Sequence, residues 1–351
     1  MTTASTNFDN KEPTYKSENK YKTDYTSATE EEACTKKKTL LQVSAGFAKD
    51  NFGKDSQRWR KIFAGDQWGS YGGKRKIDPN TNNLVVVNYT YSILKSVIPQ
   101  TYYQDPHFDV FVNDPFSLGS EFTETTVGIP LIQNEILKRE QLTEDALNEK
   151  WRQLKIQHNM KRIQLDQLIM GFGAGKLGWS TQTEKDYSEP NAETGQEYTE
   201  RVTEDDAFFL RVSTEDILFD NTAKHFDEMR WIATRYFLPM EMVENRFKIE
   251  GGISPSTVLD KKYINRVDEN NRRHFDMMEI WEFQDLGENK FYYLTNGYEK
   301  YLNVVENEYD IGFNTKLFWV NDCPDKLYPI SDVSQIEDLN FELNMTRTQM
   351  L

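Results

Sequence analysis

The chain has 351 residues, with 42 Lys and Arg against 57 Asp and Glu, a formal charge of −15 at pH 7. Hydrophobic residues make up only 37%, yet aromatics reach 13%, a content of large apolar side chains that excludes wholesale disorder. No apolar run approaches the roughly 18 to 20 residues of a membrane span. Two distant cysteines, Cys34 and Cys323, make neither a disulfide framework nor a Cys-based metal site, and the acidity argues against a free-standing nucleic-acid binder.

Residues 1–39 carry almost no aliphatic side chains, and seven Lys balance seven Asp and Glu before Leu40. Such a segment is expected to be a disordered polar arm, its Glu30–Glu32 and Lys36–Lys38 runs simply solvated. Structure is expected from Leu40. Ser56 is placed to cap a helix over 56–64 whose Trp59, Ile62 and Phe63 share a face, ending at Gly65. A strand is predicted over 84–87, a short helix over 91–98 after Asn88, and a half-buried strand over 108–112. A helix opened by Ser117 or Ser120 is interrupted near Gly128 and resumes over 131–140. A second follows over 143–170, with Leu147, Trp151, Leu154, Met160, Ile163 and Met170 in register.

The glycines after Met170 spell Gly173-Ala174-Gly175-Lys176-Leu177-Gly178, a match to GxGxxG. They close a helix and lead into a strand over 177–181, the reverse of a nucleotide fingerprint, and are read as a flexible turn. An acidic hairpin is expected around 184–204, then strands over 208–212 and 229–236, and a short helix opened by Pro239 with Met242, Val243 and Phe247. Strands over 277–284, 290–295 and 317–320 follow, with Asn296-Gly297 as a turn. Finally Ser331 can cap a helix with Val333, Ile336, Leu339, Leu343 and Met350 at three-to-four spacing, still running at Leu351. An apolar face left unfinished in this way needs a partner surface, or further chain.

The sequence offers little catalytic chemistry: four His without metal-site spacing and no GxSxG elbow point to no catalytic residue, cofactor or metal. Carboxylates such as Glu215-Asp216, Asp220 and Asp227-Glu228 could hold a divalent cation, although solvated loop charge is the simpler account. One stretch reverses the charge: Lys54, Arg58, Arg60, Lys61, Lys74, Arg75 and Lys76 stand against Asp55 and Asp66, with Trp59, Phe63, Trp68 and Tyr71 between them. Basic and aromatic residues together can hold phosphates and stack on bases, the basis of a nucleic-acid-binding or metal-dependent nucleic-acid-processing alternative. The simpler account is that the aromatic face is core, and the cations are solvated or pair with a neighbouring acidic subunit.

Taken in order, several motifs resemble tailed-bacteriophage portal proteins. They are Gly65-Asp66-Gln67-Trp68 closing a helix, a strand leading to Asn88, the Gln104-Asp105-Pro106 turn, and a long helix ending in Gly171-Phe172-Gly173. The stretch Val212-Ser213-Thr214-Glu215-Asp216-Ile217-Leu218-Phe219-Asp220 follows, then Asp227 to Arg230, Trp231-Ile232-Ala233, Pro239 and Phe247. Last come Glu279-Ile280-Trp281-Glu282, Tyr328-Pro329-Ile330-Ser331-Asp332, Glu342-Leu343-Asn344 and Arg347. The resemblance spans about 55–351, and it implies an α+β, portal-like fold with long helices packed on mixed β-sheets. The wing domain would occupy 40–330, helical over 40–176 and β-rich over 177–330, with the start of a stem helix at 331–351; clip, returning stem helix and crown would lie beyond. It further implies a homo-oligomeric ring, a dodecamer, at one capsid vertex of the virion, assembled in the host cytoplasm. Its partners would be major capsid and scaffolding proteins, terminase, tail adaptor proteins and translocating double-stranded DNA, with no enzymatic activity and no membrane. Val333, Ile336, Leu339 and Leu343 would then make the oligomer contact, and the cations from Lys54 to Lys76 would meet DNA or a neighbouring subunit.

Overall fold

The computed structural model describes residues 30–70, 84–111, 129–186, 199–247, 277–307 and 312–350. The arm before Glu30, the cations Lys74, Arg75 and Lys76, the helix expected from Ser117 or Ser120, and the tip of the acidic hairpin lie outside them. The fold is α+β with two antiparallel sheets; where mixed sheets are expected, every described pairing is antiparallel. No helix among the described residues is long and apolar enough to cross a membrane.

The first helix, α1 (Glu30–Ala48), begins ten residues before the expected start of structure. Glu30, Glu31 and Glu32 fall in its first turn, where the exposed amide dipoles favour negative charge. Its buried stripe is Cys34, Lys37, Leu41 and Ser44, a helical spacing that contains a single aliphatic residue and therefore escapes an apolar-pattern reading. Lys37 is not solvated: its ammonium lies 4.1 Å from the Tyr292 ring centre and 5.1 Å from that of Phe283, and 3.2 Å from Asp285. A π-turn (Lys49–Gly53) leads into α2 (Lys54–Ala64), which Gly65 closes in the left-handed region at φ 94°. After the single turn α3 (Gln67–Ser70), α4 (Tyr89–Thr101) is capped by Asn88, whose side chain accepts from Tyr91 N–H and donates to the Phe63 carbonyl.

Neither short strand expected before the long helices forms. Over 84–87 and 108–111 the backbone lies outside any sheet, and its polar groups are met by side chains from neighbouring helices. The helix break expected near 141 lies instead at Lys155, which takes the left-handed conformation between α5 (Ile129–Gln153) and α6 (Ile156–Met170).

The three-stranded sheet has the order β2 (Thr199–Val212), β1 (Phe172–Asp186), β8 (Thr315–Trp319). The glycine string belongs to β1 and is not a flexible turn. At Gly173 an added Cβ would sit 2.2 Å from the Ile163 carbonyl oxygen, so glycine lets α6 lie directly on the strand. The five-stranded sheet is a meander of β3 (Ile217–Phe219), β4 (Trp231–Pro239), β5 (Met277–Asp285), β6 (Lys290–Thr295) and β7 (Asn303–Glu306). Odd-numbered Trp231, Ala233 and Phe283 meet Leu41 of α1; Met278 and Ile280 meet Val243 of α7 (Met240–Phe247). Between the sheets, the Lys176 ammonium lies 2.7 Å from a Glu282 carboxylate oxygen.

The main core gathers α2, α4, α6, β1, β3 and the last helix, α8 (Asp332–Met350). Phe172, fully buried, has ring contacts with Phe52, Phe219, Phe226 and Tyr328 at centroid distances of 5.4 to 6.1 Å. Removing such a side chain from water contributes roughly 1.5 to 3 kcal/mol.

Candidate functional site: the last helix and its anchor

Helix α8 is held at its start by three elements. The Ser331 hydroxyl accepts from Val333 N–H at 3.1 Å, capping the helix as the sequence predicts, and donates to the Ile169 carbonyl of α6 at 2.6 Å. Gly171, at φ 89°, ends α6 so close to the Pro329 carbonyl that an added Cβ would lie 2.6 Å from its oxygen. Tyr328 stacks on Phe52 at 5.0 Å, and Asn321 donates to the Asp332 carboxylate at 2.8 Å. Burial pushes the Tyr328 phenol well above its ordinary range.

Along α8 the side facing the protein is largely polar. Val333, Glu337, Asn340, Phe341 and Asn344 are its buried residues. Glu337 accepts from Arg58 of α2 at 2.8 Å, and Asn340 donates to Thr90 of α4 at 3.1 Å. Asn344 Oδ1 accepts from Val87 N–H at 2.9 Å while its amide donates to Gln67, and Thr348 Oγ1 accepts from Val85 N–H at 3.1 Å. Successive turns of one helix thus supply the partners that a sheet would have given the 84–87 segment. Phe341 meets Trp68 edge-on at 5.4 Å, and Arg347 donates to the Tyr89 hydroxyl at 2.7 Å. Burial pushes the Glu337 carboxyl above the usual carboxylate value, with Arg58 pulling partly the other way.

The apolar residues expected to form one face of this helix are divided. Val333 is in the core and Ile336 is half-buried. Leu339, Leu343 and Met350, at four- and seven-residue spacing, point outward, with exposures of 62%, 42% and 80%.

Within the basic stretch, the aromatic face is core: Trp59 and Ile62 are buried and Phe63 half-buried. Its two described arginines are occupied inside the chain, Arg58 by Glu337 and Asp55, Arg60 by Glu215. Lys54 and Lys61 are exposed. Of the carboxylates singled out in the sequence, Asp216 lies 2.8 Å from Arg235 and Asp220 2.9 Å from Arg230, paired rather than solvated, whereas Asp227 and Glu228 are exposed as expected. The carboxyl of Asp220, although burial pushes it up, is held below its ordinary value by bonds from Arg230 and Thr222.

Sequence reasoning missed a group that the fold assembles: His107, Asp109 and Glu144, whose donor atoms lie within 4.8 Å of one another. The two segments are separated by a long stretch of chain, so no local motif exists to find. No protein-family model and no curated protein matches this chain.

Proposed function

We propose that this chain is a structural, ring-forming protein of the phage-portal kind. It would make the channel for DNA packaging and ejection at one capsid vertex of the virion, a platform for terminase and tail adaptor proteins, with no catalytic role. The observation that carries the reading is the inverted pattern of α8. A helix held by a polar inner face, with Leu339, Leu343 and Met350 displayed to water, is suited to packing against the same helix of neighbouring copies, which a closed ring repeats around its axis. The charge of −15 agrees with it, since an acidic wall does not trap the DNA backbone by counterion release. The colinear portal-like motifs from Gly65 to Arg347 add the family resemblance.

Negative-stain electron microscopy of the purified protein, with class averages examined for rotational symmetry, tests this. Closed rings with a central channel are expected; a monodisperse population of compact monomers would overturn the reading.

A further inference from the structure

The segment joining α4 to the residues before α5 is tied down at two points. Asp105 accepts from the Tyr102 hydroxyl at 3.0 Å and from Trp151 Nε1 at 3.3 Å. Phe108 is clamped by Asn148 of α5: its N–H donates to Asn148 Oδ1 at 3.1 Å, its carbonyl accepts from Asn148 Nδ2 at 3.2 Å, and its ring lies 5.3 Å from that of Trp151. His107 and Asp109 flank the clamped residue, and Glu144 stands one helical turn before Asn148. The fold therefore delivers an imidazole and two carboxylates to one point on the surface of α5.

The spacing is informative. His107 Nε2 lies 3.5 Å from Asp109 Oδ1 and 3.4 Å from Glu144 Oε1. These gaps are at the long end of polar contact, longer than the roughly 2.7 to 3.2 Å of a close N–H···O bond. The two edges from the imidazole are close to the ligand–ligand edge of a tetrahedral zinc site, about 3.4 Å for metal–ligand bonds near 2.1 Å, and all three donor atoms lie within 4.8 Å of one another. Among the described residues no Lys or Arg lies within ion-pair distance of Asp109 or Glu144, whereas Asp216, Asp220 and Glu215 each have an arginine. This is also the one group of its kind among the described residues. An imidazole among the ligands favours zinc-like ions over calcium or magnesium, which take oxygen ligands.

We propose that His107, Asp109 and Glu144 bind a zinc-like divalent cation through Nε2 and one oxygen of each carboxylate, with water in the fourth position. The two carboxylates neutralise the ion, and the bound metal fixes the 102–111 segment to α5. The site does not depend on the ring reading.

The test is cobalt(II) and zinc titration of the full-length chain, stripped of metal by chelator, alongside His107→Ala, Glu144→Gln and the control His158→Ala. His107 is 68% exposed and Glu144→Gln is isosteric, so both variants are expected to keep the native far-UV circular dichroism. The expected result is one cobalt equivalent with the intense visible absorption of four-coordinate cobalt, displaced by zinc, in the wild type and the control. Both site variants should lose that signal and bind the equivalent at least about 10- to 100-fold more weakly, the loss that even an outer-shell partner causes. Equal cobalt binding by the wild type and both site variants, or no four-coordinate spectrum in the wild type, would overturn the site.

Discussion

Helices α2 and α8 pack on each other and are patterned in opposite senses. Helix α2 turns Trp59 and Ile62 inward and its lysines outward, the usual arrangement for a surface helix. Helix α8 turns Glu337, Asn340 and Asn344 inward with Phe341, and leaves Leu339, Leu343 and Met350 outside. The first pattern is complete within one chain. The second leaves apolar area in water: hydrogen bonds fix the helix in place and orientation, and in the proposed ring the exposed stripe would pack against neighbouring copies. The Arg58–Glu337 pair at 2.8 Å joins the two helices.

The contrast can be broken from either side. The largest effect is expected from placing Asp at both Leu339 and Leu343: assembly is abolished while near-UV and far-UV circular dichroism stay native, because both side chains already face water. Truncating the buried face of α2 does the reverse. Trp59→Ala should lower unfolding free energy by about 3 to 5 kcal/mol in denaturant titration, the usual result of emptying a large aromatic site.

Asn344→Ala addresses the polar anchor. It leaves the Val87 N–H without its partner beside a buried Gln67, and a loss of about 2 to 3 kcal/mol is expected in the same measurement. The smallest change is Glu337→Gln, under about 1 kcal/mol at neutral pH, since Arg58 keeps Asp55 at 3.5 Å and remains partly in water. Its signature is in pH dependence. Burial raises the folded-state value of the Glu337 carboxyl, so proton uptake favours the folded protein. That contribution is complete below the unfolded value of about 4.3 and lost as pH rises through the raised folded value. The thermal midpoint of the wild type should therefore gain on that of Glu337→Gln as the solution is acidified through this window.

What was legible in the sequence follows what each signal measures. Strands β5, β6 and β8 and the Ser331 cap were readable because aromatic and aliphatic runs bounded by turn residues, and capping side chains, are local signals. Helix α1 was hidden because its buried stripe is Cys34, Lys37, Leu41 and Ser44, in which a lysine is made a core residue by two aromatic rings and a carboxylate from the far sheet. Segment 84–87 read as a strand because it is a continuous apolar run, and 108–112 because it alternates, but neither pattern can say whether the partner is a strand or the amides of Asn344 and Asn148. The glycines of β1 read as a turn for a similar reason: their cause is the approach of Ile163 and of the Phe208 and Phe209 rings, which only the fold brings there. At α8 the helix and its cap were legible, but not which side faces inward. Three-to-four spacing places Val333, Ile336, Leu339 and Leu343 near one another, and only the hydrogen bonds of Glu337, Asn340 and Asn344 decide the rotation.

The central claim is that the outward stripe of α8 is the contact between copies. It is tested most directly by measuring the mass of the assembled species, by sedimentation velocity, for the wild type and the Leu339→Asp/Leu343→Asp variant side by side. A discrete high-order oligomer that becomes a folded monomer in the variant is the predicted result. An unchanged oligomer in the variant would contradict it.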